Sequence, residues 1–177
     1  MVLRTSDRHL IEAARAGDLL AFETLARRHE TRVYRVALRM LRTPVEAEDA
    51  TQDVLLQAWQ GLPGFRGDSS FLTWLYRLTT NRCLNILRTS HPSNPLPEHL
   101  LGGETADEQV EHSLRLEAFK RAVMGLTPEQ RAPFVLREFE GLSYQEIADV
   151  LSTTVSAVKS RIHRARVELV SALAPWR

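Results

Sequence analysis

The chain is short of cysteine, of long apolar runs and of strand-like alternation, and each shortage narrows the field. Its one cysteine is Cys83. A disulfide framework within the chain and a cysteine-based zinc site are therefore excluded, and a reducing cytoplasm is the expected setting. Cys83 falls in an apolar helical pattern and reads as a small core residue. No stretch reaches the unbroken apolar length that spans a bilayer. The first residues lack the basic-then-apolar order of a signal peptide, so none is expected. The six histidines have no metal-ligand spacing. No HExxH, phosphate-binding loop or nucleophile elbow occurs. Neither catalysis nor a bound cofactor is expected. An excess of one charge is lacking too: 23 basic and 22 acidic residues among 177 leave a net charge of +1. Any affinity for nucleic acid must come from local clustering.

What is present is helix punctuation. A first short helix is expected from Asp7 to Ala16, stopped by Gly17. Asp18 caps the next, LLAFETLARRHETRVYRVALRML. Thr43-Pro44-Val45-Glu46 is a helix start with a threonine cap, a proline in the first turn and a glutamate reaching back. That helix runs to about Gln60 and stops at Gly61. After the loop GLPGFRGDSS, a fourth helix is expected from Phe71 to Arg88.

The pattern then breaks. TSHPSNPLPEHLLGGETADEQVEH carries three prolines and an adjacent glycine pair, and from His91 to His112 its charges are all acidic. It reads as a flexible acidic linker. Beyond it, Leu114 to Leu126 is helical. Thr127 and Ser143 open two further capped helices, Gly141 ends the first of these, and Pro133 inside it is expected to kink or shorten it. Ser152-Thr153-Thr154 is a short turn before a last helix at Val155. The fold expected is all-α: a helical domain at 1–89, a linker at 90–112, and a second domain at 113–177 that ends in a helix-turn-helix.

The last helix opens with VSAVKSRIHRAR, which holds four cations and no acid. On a wheel of about 100° per residue, Val155, Val158, Ile162, Ala165 and Leu169 share the core face. Ser156, Ser160 and Arg164 point away, with Ala157 and His163 nearer the edge. Lys159, Arg161 and Arg166 lie on the flanks. Small polar residues permit close approach to base edges, and flanking cations suit the phosphate rows of a major groove. Such turns often carry glycine where Ser152 or Thr153 stands, so strain is expected there.

The first domain is patterned differently. From Val45 to Gln60 the buried stripe is Ala47, Ala50, Val54, Leu55 and Ala58. The opposite face shows Glu48, Asp49, Gln52 and Asp53, with Leu56 and Trp59 among them. Carboxylates around exposed apolar groups suit a basic protein partner and repel DNA. Trp59 fits either that face or the core. In the helix from Phe71 to Arg88, the core face is Phe71, Leu75, Leu78 and Ile86. Trp74, Arg77, Asn81, Leu84 and Arg88 form a second stripe, with Thr73 and Thr80 beside it. An aromatic, an amide and cations in a row suit single-stranded nucleic acid. A core tryptophan with arginines snorkelling from it fits the same wheel. The loop from Phe65 through Arg66, Gly67 and Asp68 to Ser69 offers a ring, a cation and two polar groups, a set able to hold a flipped base.

Three stretches in this order resemble one family. AFETLARRHETRVYRVALRML, VEAEDATQDVLLQAWQGLPGFRGDSSFLTWLYRLTTNRCLNILR and LTPEQRAPFVLREFEGLSYQEIADVLSTTVSAVKSRIHRARVEL are similar to the extracytoplasmic-function (ECF) sigma factors of bacterial RNA polymerase. The resemblance implies roles. Asp49, Gln52 and Asp53 would grip the clamp of the largest polymerase subunit, and the polymerase flap would be a second contact. Phe65 to Ser69 with Trp74, Arg77 and Asn81 would melt the −10 element and hold its non-template strand. Ser156, Lys159, Ser160, Arg161 and Arg164 would read the −35 duplex. The linker would thread toward the RNA exit channel, and an anti-sigma factor would cover these surfaces. Ala157 stands where a threonine is common in the family. The rival is a stand-alone helix-turn-helix regulator that binds a palindrome as a homodimer. Such a duplex reader has no need of the stripe from Trp74 to Arg88.

Overall fold

The computed structural model describes residues 6–89 and 108–174. The elements are α1 (Asp7–Arg15), α2 (Leu19–Met40), α3 (Pro44–Gly61), a single 3₁₀ turn (Leu62–Gly64), α4 (Phe71–Thr89), α5 (Glu108–Gly125), α6 (Pro128–Glu138), α7 (Tyr144–Val150) and α8 (Val155–Ala172). No strand occurs among the described residues. The chain divides into two compact units, Met1–Cys83 and Leu84–Arg177, while α4 itself continues to Thr89.

Local chemistry sets the starts of these helices. The Asp18 carboxylate accepts the Ala21 backbone N–H at 3.1 Å, satisfying one of the donors a helix start leaves open. Thr43 and Glu46 close a capping box: the Glu46 N–H donates to Thr43 Oγ1 at 3.2 Å, and the Thr43 N–H donates to Glu46 Oε2 at 3.0 Å. Ser143 and Glu146 repeat it at 3.2 and 2.8 Å. Backbone and hydroxyl bonds from Ser143 hold the Glu146 carboxyl below its ordinary value. At Thr127 the Gln130 side chain reaches back to the backbone N–H at 3.0 Å, and its amide also donates to Glu168 of α8 at 2.6 Å.

One expected boundary moves. α5 starts at Glu108, ahead of the expected Leu114. Of the linker expected at 90–112, residues 90–107 lie outside the described residues. α6 continues through the buried Pro133 to Glu138; Pro133 lies one turn in, and the carbonyl it leaves without a donor belongs to the exposed Glu129. Finally, α3 ends at Gly61 as expected, and the 3₁₀ turn follows it.

In the first unit, Leu25, Val33, Val54, Ala58, Leu62 and Leu75 form the closed centre of a core that also takes Leu10, Phe22, Phe65 and Phe71. Each fully buried leucine contributes on the order of 2 kcal/mol. α1 is pinned to α2 by Asp7, whose carboxylate accepts from Arg28 and, at 2.8 Å, from Nε2 of the buried His29. Burial works to raise the Asp7 carboxyl, but the bonds and charges of His29 and Arg28 outweigh it and hold it below its ordinary value. Cys83 is fully buried, and desolvation pushes its thiol up to about 12.

In the second unit, Val123, Leu126, Phe134, Ala165 and Leu169 form one cluster. Ile147, Ala148 and Val150 of α7 and Val158 and Ile162 of α8 are buried as well, and the two helices pack together.

Candidate functional site

The helix-turn-helix is built from α7, a three-residue turn and α8. Ser152 has φ 50°, the one positive φ outside glycine among the described residues. This is the left-handed conformation that a side chain resists, at one of the two positions where strain was expected. It turns the chain so that the Thr153 N–H reaches the Ala148 carbonyl at 2.9 Å. Thr154 then caps α8, its hydroxyl accepting the Ala157 N–H at 3.1 Å.

α8 buries Val158, Ile162, Ala165 and Leu169. Ser156, Lys159, Ser160, His163 and Arg164 are exposed, and Ala157 and Arg161 half-buried. The Arg164 guanidinium donates to Ser160 Oγ at 2.9 Å, so two residues of the outward face are already aligned. Arg166 is engaged elsewhere. It donates to Glu138 of α6 at 2.6 Å, which raises its pKa. Of the four cations in the acid-free stretch, Arg166 therefore belongs to the scaffold. Lys159 lies 5.7 Å from the centre of the Tyr144 ring, and Arg137 lies 4.7 Å from that centre. Tyr144 was not foreseen as a site residue. Its contacts join the end of α6, the start of α7 and α8, and helical periodicity does not show such meetings.

On α3, Glu48, Asp49 and Gln52 are exposed, and Leu56 is 55% exposed. A carboxylate face around an apolar centre is therefore present. Asp53 is different. Its carboxylate accepts from Arg82 Nε at 2.9 Å and pairs with the second guanidinium nitrogen at 2.6 Å. Arg82 was missed because the pair joins two helices distant in sequence. Trp59 is half-buried, with its ring 5.0 Å from that of Phe22, so it leans on the core as well as bordering the face. Leu55 is only half-buried, and Thr51 takes a place in the buried stripe.

The loop before α4 departs from expectation at one residue. Phe65 is 8% exposed, and its ring packs 5.1 Å from Trp74 and 5.9 Å from Phe71. The loop does not present that ring; transfer of an aromatic into the core outweighs its display. Arg66, Asp68 and Ser69 are exposed. Arg66 and Asp68 pair at 3.3 Å across Gly67, whose φ is 81°. Trp74 is half-buried and lies against Gly61, where a Cβ would stand 3.3 Å from the indole. Arg77 is half-buried, and Asn81 and Arg88 are exposed. Thr80 is fully buried, its hydroxyl donating to the Tyr76 carbonyl at 2.8 Å, so it leaves the surface stripe. The stripe that remains joins a half-sheltered aromatic to polar and cationic groups.

Fold and surfaces define a class: an all-helical protein with a helix-turn-helix in one unit and a carboxylate-rich face on the other. Comparison with known proteins narrows the class. Residues 25–91 match the family model for sigma-70 region 2, and residues 116–169 match that for sigma-70, region 4. The ECF RNA polymerase sigma factor SigM of Mycobacterium tuberculosis is 40% identical over 171 residues, covering 95% of this chain and 85% of that protein. CnrH, solved in complex with the cytosolic domain of CnrY, is 28% identical with a TM-score of 0.73, covering 96% of this chain and 97% of the other. The sigma factor RpoE of Bartonella quintana, solved with the anti-sigma factor NepR, shares the fold at 23% identity and a TM-score of 0.70, over 86% of this chain and 96% of that one. The chain belongs to the ECF sigma factors of bacterial RNA polymerase. It binds core polymerase, recognises −35 and −10 promoter elements and directs transcription initiation. The stand-alone regulator is not favoured. Sigma factors are initiation factors and not enzymes. No described helix is long and apolar enough to cross a membrane.

Proposed function

We propose that the surfaces divide the work of initiation as follows. Residues 1–89 engage polymerase and the −10 element, and residues 113–177 engage the −35 element. The exposed Glu48, Asp49, Gln52 and Leu56, with Asp53 and Trp59 at the border, dock on the clamp of the largest polymerase subunit. A basic partner is attracted by the carboxylates, and Leu56 supplies the apolar anchor a docking face needs. Arg66, Asp68 and Ser69 contact a base drawn out of the stack. Trp74, Arg77, Asn81 and Arg88 follow the non-template strand, and Phe65 acts from within the core by holding Trp74 in place. Ser156, Ala157, Lys159, Ser160, Arg161, His163 and Arg164 enter the −35 major groove, and the same domain meets the polymerase flap.

The observation that carries this reading is the outward face of α8, where exposed small and cationic residues stand over a fully buried apolar stripe. The ionic contacts position the helix, while base-edge contacts specify the sequence. The setting is the cytoplasm, where polymerase and promoter DNA reside. An anti-sigma factor is a fitting regulator, since the RpoE likeness was solved bound to one. The reading is tested with Arg164→Ala. Promoter binding by the holoenzyme falls while core polymerase still co-elutes. Loss of both activities removes Arg164 from the DNA-reading face.

A further inference from the structure

α2 carries a charged surface that none of these roles uses. Arg28, Arg32, Arg35 and Arg39 follow one another at spacings of four, three and four residues. On an α-helix they fall within an arc of about 60°. The helix's two acids, Glu23 and Glu30, lie on the other side of the wheel, and Glu23 pairs with Arg27 at 2.6 Å. The arc is therefore free of acid along its own helix. One end is closed by α1, where Asp7 accepts from Arg28. Arg39 turns back along the helix and donates to the Arg35 carbonyl at 3.2 Å. Arg32 and Arg35 are exposed, and no described acid pairs with them.

Stability does not account for this arrangement. Like charges at such spacings destabilise a helix. Arg32 and Arg35 also lie ahead of the last turn of α2, where a cation gains from the helix dipole. Nor does the stripe resemble a protein-docking face. It has no aromatic or large apolar side chain interleaved with its cations, unlike the α3 face with Leu56 and Trp59. Protein interfaces draw on such anchors. The lack of an aromatic also removes the stacking platform that single-stranded bases use. Regularly spaced cations alone suit a regularly spaced polyanion. Arg32 to Arg35 spans about 4.5 Å along the helix, and a duplex strand places a phosphate about every 3.4 Å along its axis.

We propose that the Arg32–Arg35 edge of α2 binds the phosphate backbone of duplex promoter DNA. It positions the first unit without reading sequence. This goes beyond the base-reading surfaces and rests on the chain's role as a promoter-binding factor.

The test uses holoenzyme assembled from core polymerase and either the unaltered chain or an Arg32→Gln/Arg35→Gln variant. Equilibrium binding of a promoter fragment is measured across a salt series. Each lost phosphate contact lowers the slope of log K against log salt by about 0.9. The proposal expects a slope reduced by nearly two. It also expects unchanged preference for promoter over scrambled duplex and unchanged co-elution with core polymerase. Arg32→Lys/Arg35→Lys keeps both charges and retains the slope. An unaltered slope in the glutamine variant overturns the proposal. So does an unaltered slope with loss of core binding, which assigns the stripe to an acidic protein surface. Failure of the unaltered holoenzyme to bind the promoter counts against the sigma role itself, and not against α2.

Discussion

Ser152 sets the geometry of the turn before α8 at the expense of its own backbone. Its φ of 50° costs a non-glycine residue about 1 kcal/mol. Ser152→Gly is expected to raise the stability of the second unit by at most about 0.6 kcal/mol, because the added freedom of the unfolded chain takes back most of the relieved strain, read by urea denaturation. Asp7 gives a pH dependence of known sign. Its carboxyl is held below the ordinary value in the folded chain, so its contribution is complete above the unfolded value and is lost as pH falls through the folded one. Asp7→Asn should weaken the first unit at neutral pH and flatten the acid limb of its stability below about pH 4, followed by circular dichroism. At Cys83, burial pushes the thiol up to about 12. Thiol reagents at neutral pH should label it only as fast as the unit opens. Fast labelling of the folded protein would contradict the core placement.

At the scale of elements, what was legible in the sequence was what is local. The capped starts at Asp18, Thr43, Thr127 and Ser143 are i,i+3 relations, which the sequence carries in full. The core face of α8 followed from its period. Glycine-like strain at the turn followed from the glycine that helix-turn-helix turns often carry where Ser152 or Thr153 stands. What was not legible were meetings between elements. Phe65 looked like a ring on a loop, but Phe71 and Trp74 from α4 enclose it. Asp53 looked like a free docking carboxylate, but Arg82 holds it. Arg166 looked like a phosphate contact, but Glu138 of α6 holds it. These pairs refine two tests. Asp49→Lys is a cleaner probe of the α3 face than a change at Asp53, because it leaves the Arg82 pair intact. It should abolish capture of core polymerase in co-elution without altering the fold. Trp74→Ala should leave the closed promoter complex intact and impair strand opening, seen as lost permanganate reactivity near −10. Unimpaired opening would return Trp74 to a purely structural place.

For the whole molecule, two helical units carry surfaces of opposite character. In the proposed division of work, the carboxylates of the first unit face a protein and its aromatic and cationic stripe a separated strand, while the acid-free stretch of α8 in the second faces a duplex. Near-neutral net charge conceals this division, because the charges are sorted by surface. The central claim is that this chain alone confers promoter recognition on core polymerase. The most direct measurement is run-off transcription with bacterial core polymerase, a pool of promoter fragments and this chain as the sole initiation factor. Specific transcripts that vanish when the chain is omitted, and that weaken with Arg164→Ala, are the predicted result. No transcripts, together with retention of palindromic duplexes by the chain in the absence of polymerase, would contradict the account and point to a stand-alone regulator.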